Sequence, residues 1–289
     1  RDREVHDHEF NEWKKRRTKI LAEVNIDHEL VNKANEVPQK FQNELLMVLR
    51  KYNEVFSRSD TDIGYSQHFI LDLQLKDKNT PPHFSKPYKV DIGLQDKIKK
   101  QLDDMVRDDI LEPTISPWSA PIIAVPKKNG KLRIVTNYKT YVNKHLVVPN
   151  WPIVPIRTIF AQIGKDIQEL KREYPRDKIY FFSFDMRSGF YNISISESSR
   201  DITAFVAFDR QLRYKKMTMG TNVSPSCFSR FVFSVFDNFE VKGGRLSLYL
   251  DDTMLICAES RIAATLSYYF DRIQQHNITI NLEKCAFFQ

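Results

Sequence analysis

The chain has 289 residues, of which 42% are hydrophobic and 28% charged, and this balance excludes a wholly disordered protein. Its net charge is +7 at pH 7, and the basic excess lies in residues 121–289, with 24 Lys and Arg against 15 Asp and Glu. A polyanionic partner would suit this basic part, but a solvated basic surface explains it equally well. No apolar run is long enough to span a membrane and no signal-peptide pattern occurs, so we expect no membrane partner.

The first predicted element is a charged lead-in. Residues 1–36 mix both signs of charge without a strong apolar period, which is typical of a linker or a loosely packed helical lead-in. The chain does not begin with Met, so we expect excision from a longer precursor or a trimmed sequence. Apolar residues then recur at helical spacing in 38–56 and in 91–111, which predicts two amphipathic helices with a proline-rich extended segment between them.

A β-hairpin is predicted in APIIAVPKKNGKLRIVTNY, residues 120–138, because two apolar runs flank Asn129-Gly130. This dipeptide is the strongest short signal for a two-residue type I′ turn. Four cations surround the predicted tip: Lys127, Lys128, Lys131 and Arg133. They suit a grip on phosphate, although charges at a hairpin end also serve solubility alone.

Three aspartates interrupt apolar strand patterns. Asp185 ends the aromatic run KIYFFSFD, and Asp251 and Asp252 lie within SLYLDDTMLICAES. We predict that the latter is a hairpin with both aspartates at its turn. A buried carboxylate without a partner costs several kcal/mol or more, and a bound cation would offset that cost. The alternative, that the three aspartates are capping or turn residues, stays open.

Five segments occur in order along residues 37–289: LLMVLRKYNEVFS with HFILDLQL and KPYKV, ILEPTISPWSAPIIAVPKKNGKLR, FSFDMRSGF, MTMGTNVSPSCF and YLDD. Together they resemble the reverse transcriptases of LTR retrotransposons and retroviruses, most closely the gypsy type. LLMVLRKYNEVFS, with HFILDLQL and KPYKV, resembles the lead-in that follows the protease in such polyproteins. ILEPTISPWSAPIIAVPKKNGKLR resembles the fingers segment. FSFDMRSGF, MTMGTNVSPSCF and YLDD are similar to the family motifs D-[LM]-x-S-G-[YF], M-P-x-G-x-x-x-[AS]-P and Y-x-D-D.

The resemblance implies an α+β right-hand polymerase, whose palm has a ferredoxin-like antiparallel sheet with helices and whose fingers are mixed α/β. Residues 37–147 and 193–223 would then form the fingers, and residues 148–192 and 224–289 the palm, after the lead-in 1–36. The family continues into a thumb and a ribonuclease H, which we expect to be absent from these residues.

The resemblance also implies roles for individual residues. Asp185 and Asp251 would bind two Mg²⁺ ions, or Mn²⁺ in their place, with Asp252 completing the acidic cluster. Three sets of residues would assist: the Met186 carbonyl as a backbone metal ligand, Tyr249 as support for the Y-x-D-D turn, and Lys128 and Arg133 as triphosphate contacts. Phe190 would be the sugar gate that excludes ribonucleotides, and Met219 and Gly220 would line the nucleotide pocket.

The activity implied is RNA- and DNA-templated DNA synthesis, with an RNA or DNA template, a primer and deoxynucleoside triphosphates as partners. A dimer partner is left open. Three widely spaced cysteines suit a reducing compartment, so we expect the cytoplasm, within virus-like particles, with the nucleus as an alternative.

Two other functions stay open at this stage. The first is a non-catalytic descendant that serves as a scaffold or nucleic-acid-binding subunit. The second is an RNA-templated RNA polymerase, against which the apolar Phe190 argues. The chain also departs from the family pattern, because Asn137 and Lys139 stand where Asp and Arg are usual. The segment 161–178 is longer than usual and predicts an added surface helix.

Overall fold

The computed structural model describes residues 1–127, 130–250 and 252–289, and within them eight α-helices and ten β-strands occur. The helices are α1 (Asp2–Glu23), α2 (Asp27–Asn35), α3 (Gln39–Lys51), α4 (Ile92–Arg107), α5 (Val142–His145), α6 (Ile156–Glu173), α7 (Ser224–Val235) and α8 (Ile262–Gln275). The strands are β1 (Ile70–Leu71), β2 (Leu111–Pro113), β3 (Ile122–Pro126), β4 (Leu132–Thr136), β5 (Ile179–Asp185), β6 (Ser194–Ile195), β7 (Phe205–Ala207), β8 (Arg210–Tyr214), β9 (Gly244–Tyr249) and β10 (Asp252–Ala258). None of the helices in these described ranges has the length and hydropathy to cross a membrane.

The chain divides into two compact units, each assembled from segments that are distant in sequence. Unit 1 comprises residues 1–10, 67–150 and 190–227, and unit 2 comprises residues 11–66, 151–189 and 228–289. The predicted boundaries of fingers and palm stay a prediction, whereas the predicted mixture of helices with antiparallel sheets is confirmed.

Unit 1 contains three small sheets. Strands β2, β8 and β7 form an antiparallel sheet in the order β2-β8-β7, β3 pairs with β4, and β1 pairs in parallel with β6. Helix α4 buries one face through Ile98, Leu102 and Met105, as its apolar spacing predicted. The amphipathic pattern therefore located this helix correctly, because one stripe of its surface faces the core.

The β3–β4 hairpin has a longer turn than predicted. The Lys127 amide donates to the Lys131 carbonyl at 2.7 Å, so three residues lie between this pair and a two-residue type I′ turn is excluded. Gly130 has a φ of +76°, as the third position of a three-residue hairpin loop requires. Lys128 and Asn129 lie outside the described residues, so the phosphate contact predicted for Lys128 stays a prediction.

Unit 2 is built on the antiparallel sheet β5-β10-β9. Residues 286–289 pair with the remaining edge of β5, where the amides and carbonyls of Phe181 and Gln289 bond reciprocally at 3.1 Å. One face of the sheet is buried against α8, because Phe184 packs on the rings of Tyr269 and Phe270. The phenylalanine-rich pattern of β5 therefore reflects a strand with an aromatic core beneath it.

Two other parts of the chain agree with sequence expectations. The helix predicted for residues 161–178 is α6, which spans Ile156–Glu173, and the β9 residue Arg245 forms an ion pair with its Glu173 at 2.8 Å. That this helix is an addition to the family pattern stays a prediction. The charged lead-in is helical, as one of its two interpretations predicted. Its Trp13 indole donates to the Ile63 carbonyl at 2.8 Å, and the buried Arg17 lies 3.2 Å from Asp62.

Candidate active site

Two carboxylates lie opposite each other at one end of the unit 2 sheet. Asp185 is the last residue of β5 and Asp252 is the first of β10, and the two are paired in register. Asp252 is also paired with Tyr249 of β9. Directly opposed residues of antiparallel strands point to the same face with Cβ atoms about 4.5–5.5 Å apart. Asp185, Asp252 and Tyr249 therefore share one face of the sheet.

The turn that precedes Asp252 differs from the prediction. We expected both aspartates at the turn, but Asp252 begins β10 and only Leu250 and position 251 separate it from its partner Tyr249. Leu250 has a φ of +53°, a left-handed conformation that is costly for a bulky residue. Asp251 itself lies outside the described residues, so its predicted role stays a prediction.

Backbone hydrogen bonds fix the end of β5. The Asp185 carbonyl accepts from the Asn281 amide, and the Arg187 amide donates to the Thr279 carbonyl, both at 2.8 Å. Successive carbonyls of an extended strand point to opposite edges. The Met186 carbonyl is therefore directed to the edge on which β10 lies, which is compatible with its predicted part as a backbone ligand.

A cation that the sequence reasoning missed lies beside Asp185. Lys284 Nζ is 4.0 Å from Asp185 Oδ2, and its side chain is 68% exposed, against 35% for Asp185. The adjacent Cys285 is buried and its thiol donates to the Asn281 carbonyl. Burial raises the pKa of Cys285 to about 12, so the thiol is neutral and unsuited to bind a metal.

The donor set fits a hard divalent cation. Asp185 and Asp252 offer oxygen ligands, which Mg²⁺ prefers, and their mutual repulsion across the strands would be offset by a bound cation. Within 1–127, 130–250 and 252–289, no group of three or more His, Cys, Asp and Glu side chains is arranged to hold a metal. The described site is thus a carboxylate pair, next to which the sequence places Asp251.

The side chains predicted to contact the nucleotide belong to unit 1. Arg133 is exposed on β4 opposite Val125, and Met219 is 48% exposed. Phe190 is half-buried in a 3-10 turn, Gly189–Asn192, where its carbonyl accepts from the Ile193 amide at 3.2 Å. Their predicted nucleotide contacts stay predictions.

Gly220 has a structural reason of its own to be glycine. Its φ is +106°, and a Cβ there would lie 2.5 Å from the Thr136 carbonyl oxygen. Asn143 then fixes the loop, because it donates to the Gly220 carbonyl at 2.9 Å and accepts from the Asn222 amide at 3.0 Å. The sequence reasoning did not predict this contact, although Asn143 ends the segment TNYKTYVN, residues 136–143.

Comparisons with known proteins agree with this architecture. The model of the family "Reverse transcriptase (RNA-dependent DNA polymerase)" matches residues 125–289. The chain is 28% identical to the retrovirus-related Pol polyprotein from transposon 412 of Drosophila melanogaster, over 87% of this chain and 20% of that protein. It is 22% identical to the Pol polyprotein from transposon gypsy of the same organism, over 88% of this chain and 24% of that protein.

Solved structures share the fold. The foamy viral protease–reverse transcriptase in complex with RNA/DNA hybrid superposes with a TM-score of 0.72 at 22% identity, over 91% of this chain and 33% of that one. The chain spans about a fifth to a quarter of the length of the Pol polyproteins that it matches. Since the family model covers more than half of the residues, the chain belongs to the reverse transcriptase (RNA-dependent DNA polymerase) family and resembles the Pol polyproteins of gypsy-type elements.

Proposed function

We propose that this chain is the nucleotidyl-transfer part of a Pol polyprotein and adds deoxynucleotides to a primer 3′ end on RNA and DNA templates. The observation that carries the proposal is the register pair of Asp185 and Asp252, which joins the motifs FSFDMRSGF and YLDD at one end of a sheet. Two motifs that are distant in sequence thereby contribute carboxylates to the same face, as a polymerase site needs.

In this proposal Asp185, Asp251 and Asp252 hold divalent cations, Mg²⁺ by preference and Mn²⁺ as a substitute with similar ligand requirements. Bound cations of this kind stabilise the negative charge on the attacking and leaving oxygens of phosphoryl transfer. The chain contributes the fixed carboxylates, the Met186 carbonyl, and Tyr249 on the same face as the acidic pair. Lys284 supplies a positive charge beside Asp185 that limits repulsion within the pair.

The proposed partners are an RNA or DNA template, a primer and deoxynucleoside triphosphates. Solved relatives of the same fold are described in complex with ds DNA and with RNA/DNA hybrid, and the basic excess of residues 121–289 suits such polyanions. A dimer partner is left open. We further propose the cytoplasm, within virus-like particles, as the place of action, with the nucleus as the alternative. Fractionation of cells that express the polyprotein tests the location.

Primer extension by the complete polyprotein product tests the function. We expect incorporation of deoxynucleotides on both RNA and DNA templates, dependent on Mg²⁺. Incorporation of ribonucleotides alone would indicate an RNA polymerase instead. Binding of template–primer without any incorporation would favour the non-catalytic alternative.

Arg133→Ala is expected to raise the apparent KM for the nucleotide, or to slow incorporation, by about 10-fold or more. The reason is that a charge-assisted contact with phosphate contributes roughly 1.5–3 kcal/mol. Steady-state extension at varied nucleotide concentration measures this. Lys78→Ala, which removes another exposed cation of unit 1, serves as the control and should change neither parameter. A loss of duplex affinity with unchanged nucleotide dependence would show that Arg133 contacts the template instead.

Phe190→Val should raise ribonucleotide incorporation sharply and keep deoxynucleotide use within about an order of magnitude. A rigid ring against the 2′ carbon adds overpacking strain of roughly 1–3 kcal/mol for a ribose, on top of a missing hydrogen bond for its hydroxyl. Single incorporations of matched deoxy- and ribonucleotides, with a melting curve, measure the ratio. If Phe190 were only a core residue, both activities would fall together with stability, by roughly 2–5 kcal/mol.

A further inference from the structure

The acidic pair is followed along the two strands by a buried pair, and one residue of α8 contacts both members of that buried pair. In the antiparallel register, the rung next to Asp185 and Asp252 consists of Phe184 and Thr253. Because successive side chains of a strand point to opposite faces, this rung points into the core. Phe184 and Thr253 are 2% and 1% exposed, so the rung next to the acidic pair is fully buried.

Tyr269 of α8 contacts both members of that buried rung. Its hydroxyl lies 2.6 Å from Thr253 Oγ1, and its ring stacks on Phe184 with centroids 4.2 Å apart and planes 21° apart. Phe236 stacks on the same ring at 5.1 Å and Phe270 meets its edge at 5.7 Å. With the ring held by three aromatic neighbours, its hydroxyl has one fixed direction, toward the strand that carries Asp252.

Packing alone does not require the hydroxyl groups of Thr253 and Tyr269. Val has the shape of Thr and would fill the same place in β10, and Phe would fill the place of Tyr269. Burying two hydroxyl groups costs free energy, and their mutual hydrogen bond does no more than offset this cost. Replacing both groups with apolar groups of the same shape can leave the stability of a protein nearly unchanged. What the polar pair adds is direction, since a hydrogen bond constrains distance and angle and an apolar contact does not.

We propose that Tyr269 is a positioning residue, which fixes β10 against β5 so that Asp185 and Asp252 keep a spacing suited to divalent cations. This inference rests on the proposed function of the acidic pair. The rung that Tyr269 contacts faces the opposite side of the sheet from the two acids, so Tyr269 acts through the residues that adjoin them in sequence, Phe184 on one strand and Thr253 on the other. Its effect should therefore show in cation affinity and in the rate of extension, and not in the nucleotide KM.

The test uses Mn²⁺ binding to the 289-residue chain, followed by electron paramagnetic resonance of the free ion, with a melting curve of each variant. Tyr269→Phe removes one oxygen atom and should weaken Mn²⁺ binding by about 10-fold, the lower range for partners that orient metal ligands. Thr253→Ser keeps the hydroxyl and should retain affinity. Tyr268→Phe, on the same helix with its hydroxyl 3.5 Å from the Asn238 carbonyl, is the matched control and should change nothing.

The double variant Thr253→Val with Tyr269→Phe separates positioning from stability. It replaces both hydroxyl groups with apolar groups of the same shape, so the melting temperature should return toward the wild-type value. Under the proposal its Mn²⁺ affinity stays low, and affinity that recovers with the melting temperature would show a structural role only. The single variant Asp185→Asn tests the acidic site itself. If this variant binds Mn²⁺ as tightly as the wild type, the proposed acidic site is refuted, and the positioning role of Tyr269 is refuted with it.

Discussion

Asp185→Asn is expected to reduce primer extension by about 10²-fold or more, with template–primer binding near the wild-type level. Asn keeps the shape of the side chain but loses the charge that, opposite Asp252, would hold a divalent cation. In the proposed function, the template–primer is bound through Lys and Arg contacts with phosphates, which do not depend on this carboxylate. Asp251→Asn should cause the same loss. Single-turnover extension of a labelled primer and fluorescence anisotropy of the duplex measure the two quantities.

Asp237→Asn is the control for this prediction, because Asp237 is an exposed carboxylate of unit 2 outside the acidic pair. It should leave extension unchanged. The melting temperature of Asp185→Asn without metal should not fall, since the substitution removes a like charge opposite Asp252. Extension by Asp185→Asn at more than about a tenth of the wild-type rate would show that the assignment is wrong.

Glu9→Gln should destabilise the protein by about 3–5 kcal/mol, because it breaks a buried charge network in unit 1. Glu9 accepts from two nitrogens of Arg200 at 2.9 and 2.8 Å and lies 3.1 Å from Lys215 Nζ. The side chains of Glu9 and Arg200 are only 11% and 3% exposed. Gln is neutral and has one acceptor oxygen where Glu has two, so it cannot accept from both Arg200 nitrogens in the same way. The Arg200 charge then keeps only Glu112, 3.3 Å away, as an acidic partner in this network.

The contribution of Glu9 to stability should depend on pH in a defined direction. Burial alone would raise the pKa of Glu9, but the hydrogen bonds and charges of Arg200 and Lys215 outweigh burial and lower the pKa from 4.5 to about 2. The stabilisation is therefore complete above about pH 4.5 and is lost as the pH falls through 2. A shift of this size corresponds to roughly 3 kcal/mol. Urea unfolding across this pH range should therefore show a steeper loss of stability in acid for the wild type than for Glu9→Gln.

Glu4→Gln is the matched control, since Glu4 lies on the same helix, is exposed, and faces the N-terminal amine at 3.8 Å. Exposed pairs of this kind contribute about 0–1 kcal/mol, so its unfolding midpoint should stay near that of the wild type. Equal midpoints for the Glu9 and Glu4 variants would show that the network does not stabilise the folded chain.

Local signals were sufficient for most of the secondary structure. Helices α3 and α4 follow from apolar spacing, and β5 follows from a run of aromatic residues. Turn geometry was harder to predict. At Asn129-Gly130 the dipeptide signal predicted a two-residue turn, but the pairing of Lys127 with Lys131 leaves three residues between them. At YLDD both aspartates were expected at the turn, but Asp252 already belongs to β10. Each error is one residue wide, because strand register is set by pairing across the sheet and not by the turn sequence alone.

The acidic pair was predictable because two carboxylates within apolar runs need a common explanation. The residues around it were not, since nothing local to them indicates where they lie. Lys284 reaches Asp185 only because residues 279–281 pair with the end of β5. Tyr269 reads as one more core aromatic of an amphipathic helix, and only the register of β10 reveals that its hydroxyl meets Thr253. Contacts of this range depend on the completed fold.

The order of the strands in unit 2 has a consequence for synthesis of the chain. Strand β5 pairs with β10 and with residues 286–289, both of which follow it in sequence. At translation rates of about 5–20 residues per second, β5 waits roughly 4–15 s for β10. During that interval both edges of a phenylalanine-rich strand await their partners, a form prone to aggregation. Ribosome stalling before β10 should therefore yield an insoluble, chaperone-bound nascent chain, and stalling beyond Gln289 a soluble one.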